Sequence, residues 1–182
     1  MSVCGKCPLR GDGSGSERAC YPILGRVGML WEKFARGEYS RVSVDQFKGY
    51  PVRWGAYGDP AMLPASLVHA VNAQASSWTG YTHQWGKSWA QWARGVFMAS
   101  CDSWSQEQAA RGKGWGTFRV GTSDGADQRD STLCPHAADA SVQCVTCGKC
   151  DGREVSIYIA AHGFGSKWVP AERKRRRLAL LA

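Results

Sequence analysis

The segment VFMASCDSWSQEQAARGKGWGTFRV, residues 96–120, gives the clearest indication of the fold. Its apolar beginning, 96–102, is typical of a buried strand, and its end, 115–120, is typical of a second strand. Between the two, 103–114 predicts a helix that Ser103 caps and Gly112 ends. A strand, a helix and a further strand in succession indicate a parallel βαβ unit.

The same alternation continues along the chain in both directions. Further strands are predicted near residues 52, 79 and 155, with helices over 26–36, 64–75 and 87–95. A weaker pattern around Tyr21 to Leu24 would add a sixth strand. This alternation predicts a parallel α/β sheet that is either open and doubly wound or curled into a partial barrel.

Length and composition favour one compact domain over 1–170, followed by a basic tail over 171–182. The chain has 182 residues, of which 43% are hydrophobic, so disordered and fibrous proteins are excluded. No apolar run approaches the length of a membrane span, so no membrane contact is expected. The N-terminal residues lack the pattern of a signal peptide, which makes the cytoplasm the expected location.

Eight cysteines are more than a chain of this length needs for stability. In a reducing cytoplasm, clustered cysteines indicate metal or iron–sulfur ligands before they indicate disulfides. Cys101 stands alone in an apolar strand and is predicted to be a buried core residue. The others form an N-terminal group of Cys4, Cys7 and Cys20, and a late group of Cys134, Cys144, Cys147 and Cys150.

The run CVTCGKC at 144–150 is the strongest ligand pattern in the chain. Its spacing matches that of bacterial 4Fe–4S sites, which predicts a cluster held by cysteines of both groups, or two separate sites. Structural zinc is the main alternative, because reduced thiols at this spacing also bind zinc. Seven clustered cysteines are too many for one zinc ion, which favours iron–sulfur. His136 and His162, each beside such a loop, could replace a thiol.

Polar side chains follow four of the predicted strands where each strand ends. Because the carboxyl ends of parallel strands meet at one edge of a sheet, these residues predict a shared binding site. His83 could be a proton donor, a ligand or a hydrogen-bonded strand end. Arg53 and Arg119 could bind a carboxylate or phosphate, or could instead pair with an aspartate of the site. The site residues predicted in this way are Arg53, Asp59, Thr82, His83, Ser100, Asp102 and Arg119.

The N-terminal cysteines lie in CGKCPLRGDGSGSERACY, residues 4–21. This segment resembles the cluster motif of the radical-SAM superfamily in a looser form, with Tyr21 beside the last cysteine. Gly58-Asp59-Pro60 is similar to the Gly-Gly-Glu-Pro segment that holds the methionine amine of SAM there. The resemblance implies a partial (βα)6 TIM-like barrel with a 4Fe–4S cluster and a SAM site.

Over residues 4–151 the chain also resembles a family of cysteine-rich actinophage proteins, including proteins of mycobacteriophages. That resemblance implies a phage source, the host cytoplasm and a radical-SAM-like iron–sulfur barrel, but no particular reaction. The residues that carry it are Cys7-Pro8, Cys20-Tyr21, Arg53, Gly58-Asp59, Tyr81-Thr82, Trp85, Ala99-Ser100, Asp102, Phe118-Arg119-Val120, Cys134-Pro135 and the last three cysteines.

Three functions are compatible with these patterns. The preferred one is a redox or structural 4Fe–4S protein, because there are enough cysteines to occupy every iron and SAM needs an iron without a cysteine. The alternatives are a radical-SAM-like enzyme and a zinc-stabilised interaction module, so whether the chain is an enzyme stays open.

Two kinds of partner are expected besides the cluster. One is a host redox protein. The other is DNA or RNA, whose phosphates the basic tail could neutralise, although the same run would also suit a solvated helix end. The tail residues concerned are Arg173, Lys174, Arg175, Arg176 and Arg177.

Overall fold

The computed structural model describes residues 7, 9, 18–20, 24–153 and 155–180. Its strands are β1 (Pro51–Arg53), β2 (Ser77–Thr79), β3 (Tyr81–Thr82), β4 (Met98–Cys101), β5 (Thr117–Gly121), β6 (Thr132–Leu133) and β7 (Ser156–Ala160). Its α-helices are α1 (Leu24–Ala35), α2 (Ala65–Gln74), α3 (Trp104–Arg111), α4 (Pro135–Ala138), α5 (Cys144–Cys147) and α6 (Pro170–Ala179).

Every paired strand is parallel to its neighbour, which confirms the predicted α/β class. β1 and β2 form a two-stranded sheet, and the other strands form a five-stranded sheet in the order β3-β4-β5-β7-β6. Among the described strands β3 and β6 are the edges of that sheet, so no closed barrel forms.

The predicted βαβ unit is present as β4, α3 and β5, with α3 packed against both strands. The Ser103 side chain accepts a hydrogen bond from the Gln106 amide at 3.2 Å, and Gly112 is the C-cap, so both predicted ends of the helix are confirmed. The apolar core lies on the β4 side of this unit and includes Val68, Phe97 and Trp115.

Two predicted elements differ in the structure. The helix expected over 87–95 is a 3-10 helix at Ser88–Ala93, which runs into the core. Leu24 belongs to α1 and not to a strand, and Tyr21 to Ile23 lie outside the described residues. We find no helix in the described part of the chain with the length and apolar character that a membrane span requires.

Gly80 connects β2 to β3 and also ties the sheet to the late cysteines. Its amide donates to the Cys150 carbonyl at 3.2 Å, and its own carbonyl accepts from the Met98 amide at 2.9 Å. A Cβ at this position would lie 2.5 Å from the ring of Phe97, so only glycine fits. The cysteine loop is therefore bonded to the backbone where the two sheets meet.

Gly152 provides the first testable consequence of this packing. It has a φ of +89°, and an added Cβ would lie 2.4 Å from the Phe97 amide nitrogen. We expect Gly152→Ala to lower the free energy of unfolding by more than about 2 kcal/mol, because left-handed strain and overpacking add together. Urea unfolding measures this change.

Gly163→Ala is the matched control for that substitution. Gly163 has a φ of +74° but meets no atom within 4 Å, so its variant carries the conformational strain alone. Its cost should be about 1 kcal/mol. Equal losses in the two variants would contradict a close backbone contact at Gly152.

Candidate metal and ligand site

The late loop, residues 134–150, is fastened to the sheet at both of its ends. At one end the Cys134 amide donates to the Tyr158 carbonyl of β7 at 2.7 Å. At the other end the Cys150 carbonyl accepts from Gly80, as described above. Between them α5 carries Cys144 and Cys147, and Gly148 follows in the left-handed conformation that turns the chain toward Cys150.

The Cys150 thiol feels the other three thiols of this loop. Burial is the main reason that the pKa of the Cys150 thiol is raised to about 11; a hydrogen bond with the Tyr81 hydroxyl opposes the rise. The charges of Cys134, Cys144 and Cys147 add to it, which places all four sulfurs in one neighbourhood. Even so, the described residues contain no three Cys, His, Asp or Glu side chains already grouped to hold a metal ion.

Tyr81 supplies a neutral hydroxyl to this group. Its ring packs against Phe118 with 4.6 Å between the ring centres. Burial and the neighbouring Cys150 raise the pKa of Tyr81 well above its ordinary value, so the hydroxyl keeps its proton. The positive charge of Arg53 lowers the pKa of Tyr81, which indicates that the Arg53 guanidinium lies near the Tyr81 hydroxyl.

The described cysteines of the N-terminal group are brought near each other. The Cys20 amide donates to the Leu9 carbonyl at 2.9 Å, so Cys20 lies beside the chain two residues after Cys7. Cys4, the remaining predicted ligand of this group, lies outside the described residues. The described cysteines of both groups are free thiols, and Cys101 is buried in the core as predicted.

His83 follows β3 and lies between a thiol and a carboxylate. Its ring interacts with Cys7, and Nε2 lies 3.5 Å from Asp102 Oδ1. The His83 and Asp102 side chains are 13% and 14% exposed, so water reaches the contact only in part. Burial lowers the pKa of His83, but Asp102 and Cys7 outweigh that effect and raise it to about 10.

The Asp59 side chain connects the loop after β1 to the residues after β3 through hydrogen bonds. It follows Gly58, whose φ of +89° turns the chain, and its Oδ1 accepts from the Ala61 amide at 3.0 Å. Its Oδ2 accepts from the His83 amide at 2.8 Å and from Gln84 Nε2 at 3.4 Å. The structure therefore brings Asp59, His83 and Asp102 together at one edge, as the parallel strands predict.

Arg119 does not belong to this edge. It points toward α3, where Nε donates to Glu107 and Nη1 donates to Asp127 at 3.0 Å. Nη2 donates to the carbonyls of Asp127 and Gln128, so all three nitrogens bind acceptors of the chain itself. The predicted pairing of Arg119 with Asp59 or Asp102 is wrong, because alternate residues of β5 face opposite sides of the sheet.

Glu107 and Asp127 were missed by the sequence-based prediction, and they hold this buried network together. Glu107 is fully buried and also accepts from Ser131 Oγ at 2.6 Å. Asp127 accepts from the Tyr158 hydroxyl at 2.6 Å. A glutamate on the core-facing side of an amphipathic helix, followed by a strand with an arginine, could have indicated the pair.

The remaining predicted residues have separate positions. Ser100 is 7% exposed on β4, and its carbonyl accepts from Trp85 Nε1 at 3.2 Å. His136 and His162 are exposed and contact backbone carbonyls at 2.8 Å and 2.9 Å through Nδ1. Thr82 is fully buried, and its hydroxyl accepts from the Gln84 amide.

The two cysteine groups approach neighbouring points of the chain, one on β3 and the other just after it. Cys150 contacts Tyr81, and Cys7 contacts His83, two residues further along. Two residues of extended chain span at most about 7 Å. Groups from opposite ends of the sequence are therefore placed next to each other.

The basic run begins on a helix that is anchored to the domain. Glu172 is fully buried and accepts from the Ser123 amide at 2.9 Å. Arg173, Lys174 and Arg177 are exposed on α6. The side chains of Arg175 and Arg176 lie outside the described part of the structure.

Comparison with protein-family models, with curated proteins and with solved structures gives no match to this chain.

Proposed function

We propose that this chain binds a 4Fe–4S cluster through the late loop and acts as a redox or structural iron–sulfur protein. The observation that carries the proposal is the position of Cys134, Cys144 and Cys147, which lie near enough to Cys150 for their charges to raise its pKa. Four thiolates are the complete ligand set of such a cluster. A phage source and a location in the host cytoplasm belong to the same proposal through the resemblance to actinophage proteins.

The neighbouring residues suit a bound cluster. A cluster at this position would take up and release single electrons. Tyr81 keeps its proton and donates to the Cys150 sulfur, and Phe118 packs against the tyrosine ring. Hydrogen bonds to ligand sulfurs and exclusion of solvent both set the reduction potential of iron–sulfur clusters.

A radical-SAM-like enzyme is the second candidate, and the edge formed by Asp59, His83 and Asp102 favours it. Cys7 reaches this edge, as the resemblance implies for a cluster beside a SAM site. A partial (βα)6 barrel is part of this candidate. The order of the strands supports such a barrel. β2 continues into β3 at Gly80, so β1 is followed in chain order by the β2–β3 pair, then by β4 and then by β5.

Anaerobic purification separates these functions from a zinc-stabilised module. We expect a coloured protein with iron and sulfide in equal amounts and a reduced cluster visible by EPR. A colourless protein with stoichiometric zinc would contradict both iron–sulfur functions. Adding SAM and dithionite then tests the second candidate, because release of 5′-deoxyadenosine would support it over a non-catalytic cluster. A host redox protein is the partner that the first candidate would require.

Contact with DNA or RNA is the remaining part of the proposal, and α6 allows a precise test. The double variant Lys174→Ala with Arg177→Ala removes two exposed charges while Glu172 keeps the helix attached. We expect the slope of log K against log salt for duplex DNA to fall by roughly 2, since each phosphate contact contributes about 0.9. Fluorescence anisotropy at several salt concentrations measures it.

A matched pair of charges elsewhere provides the control. Arg41→Ala with Lys48→Ala removes the same charge from exposed positions between α1 and β1. This variant should keep most of the salt slope. Equal slopes in both double variants would show that α6 has no special contact with nucleic acid.

A further inference from the structure

We infer that a cavity beside the amino ends of β4, β5 and β7 binds the phosphate group of a small ligand. This cavity lies at the edge of the sheet opposite the edge that Asp59, His83 and Asp102 form. The inference does not rest on a bound cluster, so it gives the chain a binding site beyond the proposed function.

The cavity is formed by three turns, each of which leads into a strand. Its volume is about 470 Å³, and pockets for small molecules have volumes of roughly 300–1,000 Å³. Two arginines supply positive charge to its wall, and glycines at the other positions let a ligand approach the backbone closely. The lining residues are Arg94, Gly95, Gly114, Gly152 and Arg153.

The turns around the cavity are fixed to one another. Trp78 Nε1 donates to the carbonyls of Val96 and Asp151, at 3.0 Å and 3.2 Å, and so joins the turn before β4 to the turn before β7. The Arg153 carbonyl packs against Gly116 just before β5, where a Cβ would collide with it. Because the backbone is already held in place, a ligand does not have to order it on binding.

Arg94 is exposed and supplies the first cationic group. Its Nη1 donates to the Lys113 carbonyl at 3.1 Å, which holds the guanidinium beside the turn before β5. In the part of the chain that the structure describes, no carboxylate forms an ion pair with it. Since one bond uses only one of the five N–H donors of an arginine, the guanidinium can still present a pair of them to a phosphate.

Arg153 is also exposed, and two neighbours orient its guanidinium. Its Nε lies 3.3 Å from Asp151 Oδ2, and its guanidinium carbon lies 5.7 Å from the centre of the Trp78 ring. Among the described residues, no acceptor binds its two terminal nitrogens. Two guanidinium groups against one carboxylate leave the cavity with a positive charge, which favours an anion.

The geometry favours a small phosphate compound over the backbone of a nucleic acid. Arginine forks match the several oxygens of a phosphate, whose double charge gains from both guanidinium groups. The basic helix α6 is attached beyond the carboxyl end of β5, where Glu172 accepts from Ser123. The cavity lies at the amino end of that strand, so contact with nucleic acid through α6 is a separate property.

Pyrophosphate is the probe for this site, and isothermal titration calorimetry of the full chain measures its binding. We expect Arg94→Gln and Arg153→Gln each to weaken binding by about tenfold or more, because each removes charge-assisted hydrogen bonds. Arg153→Lys should recover only part of the loss, since an ammonium keeps the charge but lacks the planar fork. As the matched control, Arg41→Gln removes an exposed charge between α1 and β1 and should leave the affinity unchanged.

Chemical modification of the unsubstituted chain covers variants that fail to fold. Phenylglyoxal reacts with exposed arginines, and pyrophosphate should slow its reaction at Arg94 and Arg153 but not at Arg41, as read by peptide mass spectrometry. Equal reaction with and without pyrophosphate, or unchanged affinity in the two folded glutamine variants, would overturn the inference. Protection by a single-stranded oligonucleotide but not by pyrophosphate would overturn it as well, because the ligand would then be a nucleic acid.

Discussion

Replacing Cys150 with alanine is expected to reduce iron binding strongly in a chain whose Cys4, Cys7 and Cys20 are also alanine. In that background the late loop supplies the only clustered thiols. Cys150 is the thiol on which its three partners act and the one that Tyr81 contacts. Losing one of four ligands should reduce iron retention by roughly tenfold or more, since ligand count and geometry determine affinity at such sites. Iron and sulfide analysis after anaerobic reconstitution measures the loss.

Cys101→Ala in the same background is the control for the number of cysteines. Cys101 is buried in the core and donates weakly to the Ala99 carbonyl, away from the loop. This variant should retain its iron and lose only some stability. Full iron retention in the Cys150 variant would remove the late loop from the proposed site.

Replacing Arg119 with methionine is expected to destabilise the fold by about 3–5 kcal/mol, since it leaves the buried Glu107 carboxylate without a cation. Arg119 is 1% exposed, and Glu107 is fully buried beside it. Asp127 loses an ion-pair partner as well. Burial raises the pKa of the Asp127 carboxyl, but hydrogen bonds from Tyr158 and Thr122 together with the charge of Arg119 hold it below its ordinary value. Denaturant unfolding at neutral pH measures the change in free energy.

Arg111→Met is the matched control, because it breaks an ion pair of similar length at the surface. Arg111 lies 3.0 Å from Asp130, with the two side chains 38% and 57% exposed. Its loss should cost no more than about 1 kcal/mol. A similar cost in the two variants would mean that the buried network contributes no more than a surface pair.

The local patterns predicted the elements that depend on neighbouring residues. Ser103 caps α3 because a serine before a helical run can accept from an amide three residues on, and the sequence shows that arrangement directly. The strand ends carrying Asp59, His83 and Asp102 were also predictable. Parallel strands place their carboxyl ends at one edge whatever their order in the sheet.

Arg119 marks the limit of that reasoning. Its position on a strand was predicted, but its partners were not. The way in which α3 crosses the sheet determines which face of β5 Arg119 occupies. It also places Glu107 of α3 opposite the arginine. The extent of sheet closure has the same origin, since the curvature of a sheet is set by the packing of all its strands.

The division of seven cysteines into two groups and the alternation of parallel strands with helices are both visible in the amino-acid sequence. Those properties depend on spacing and periodicity along the chain. The contact of Cys7 with His83 beside Asp102, and that of the late loop with Tyr81 two residues before, become visible in the folded chain. Contacts between distant parts of a chain are set by which surfaces pack together, and no local pattern contains that information.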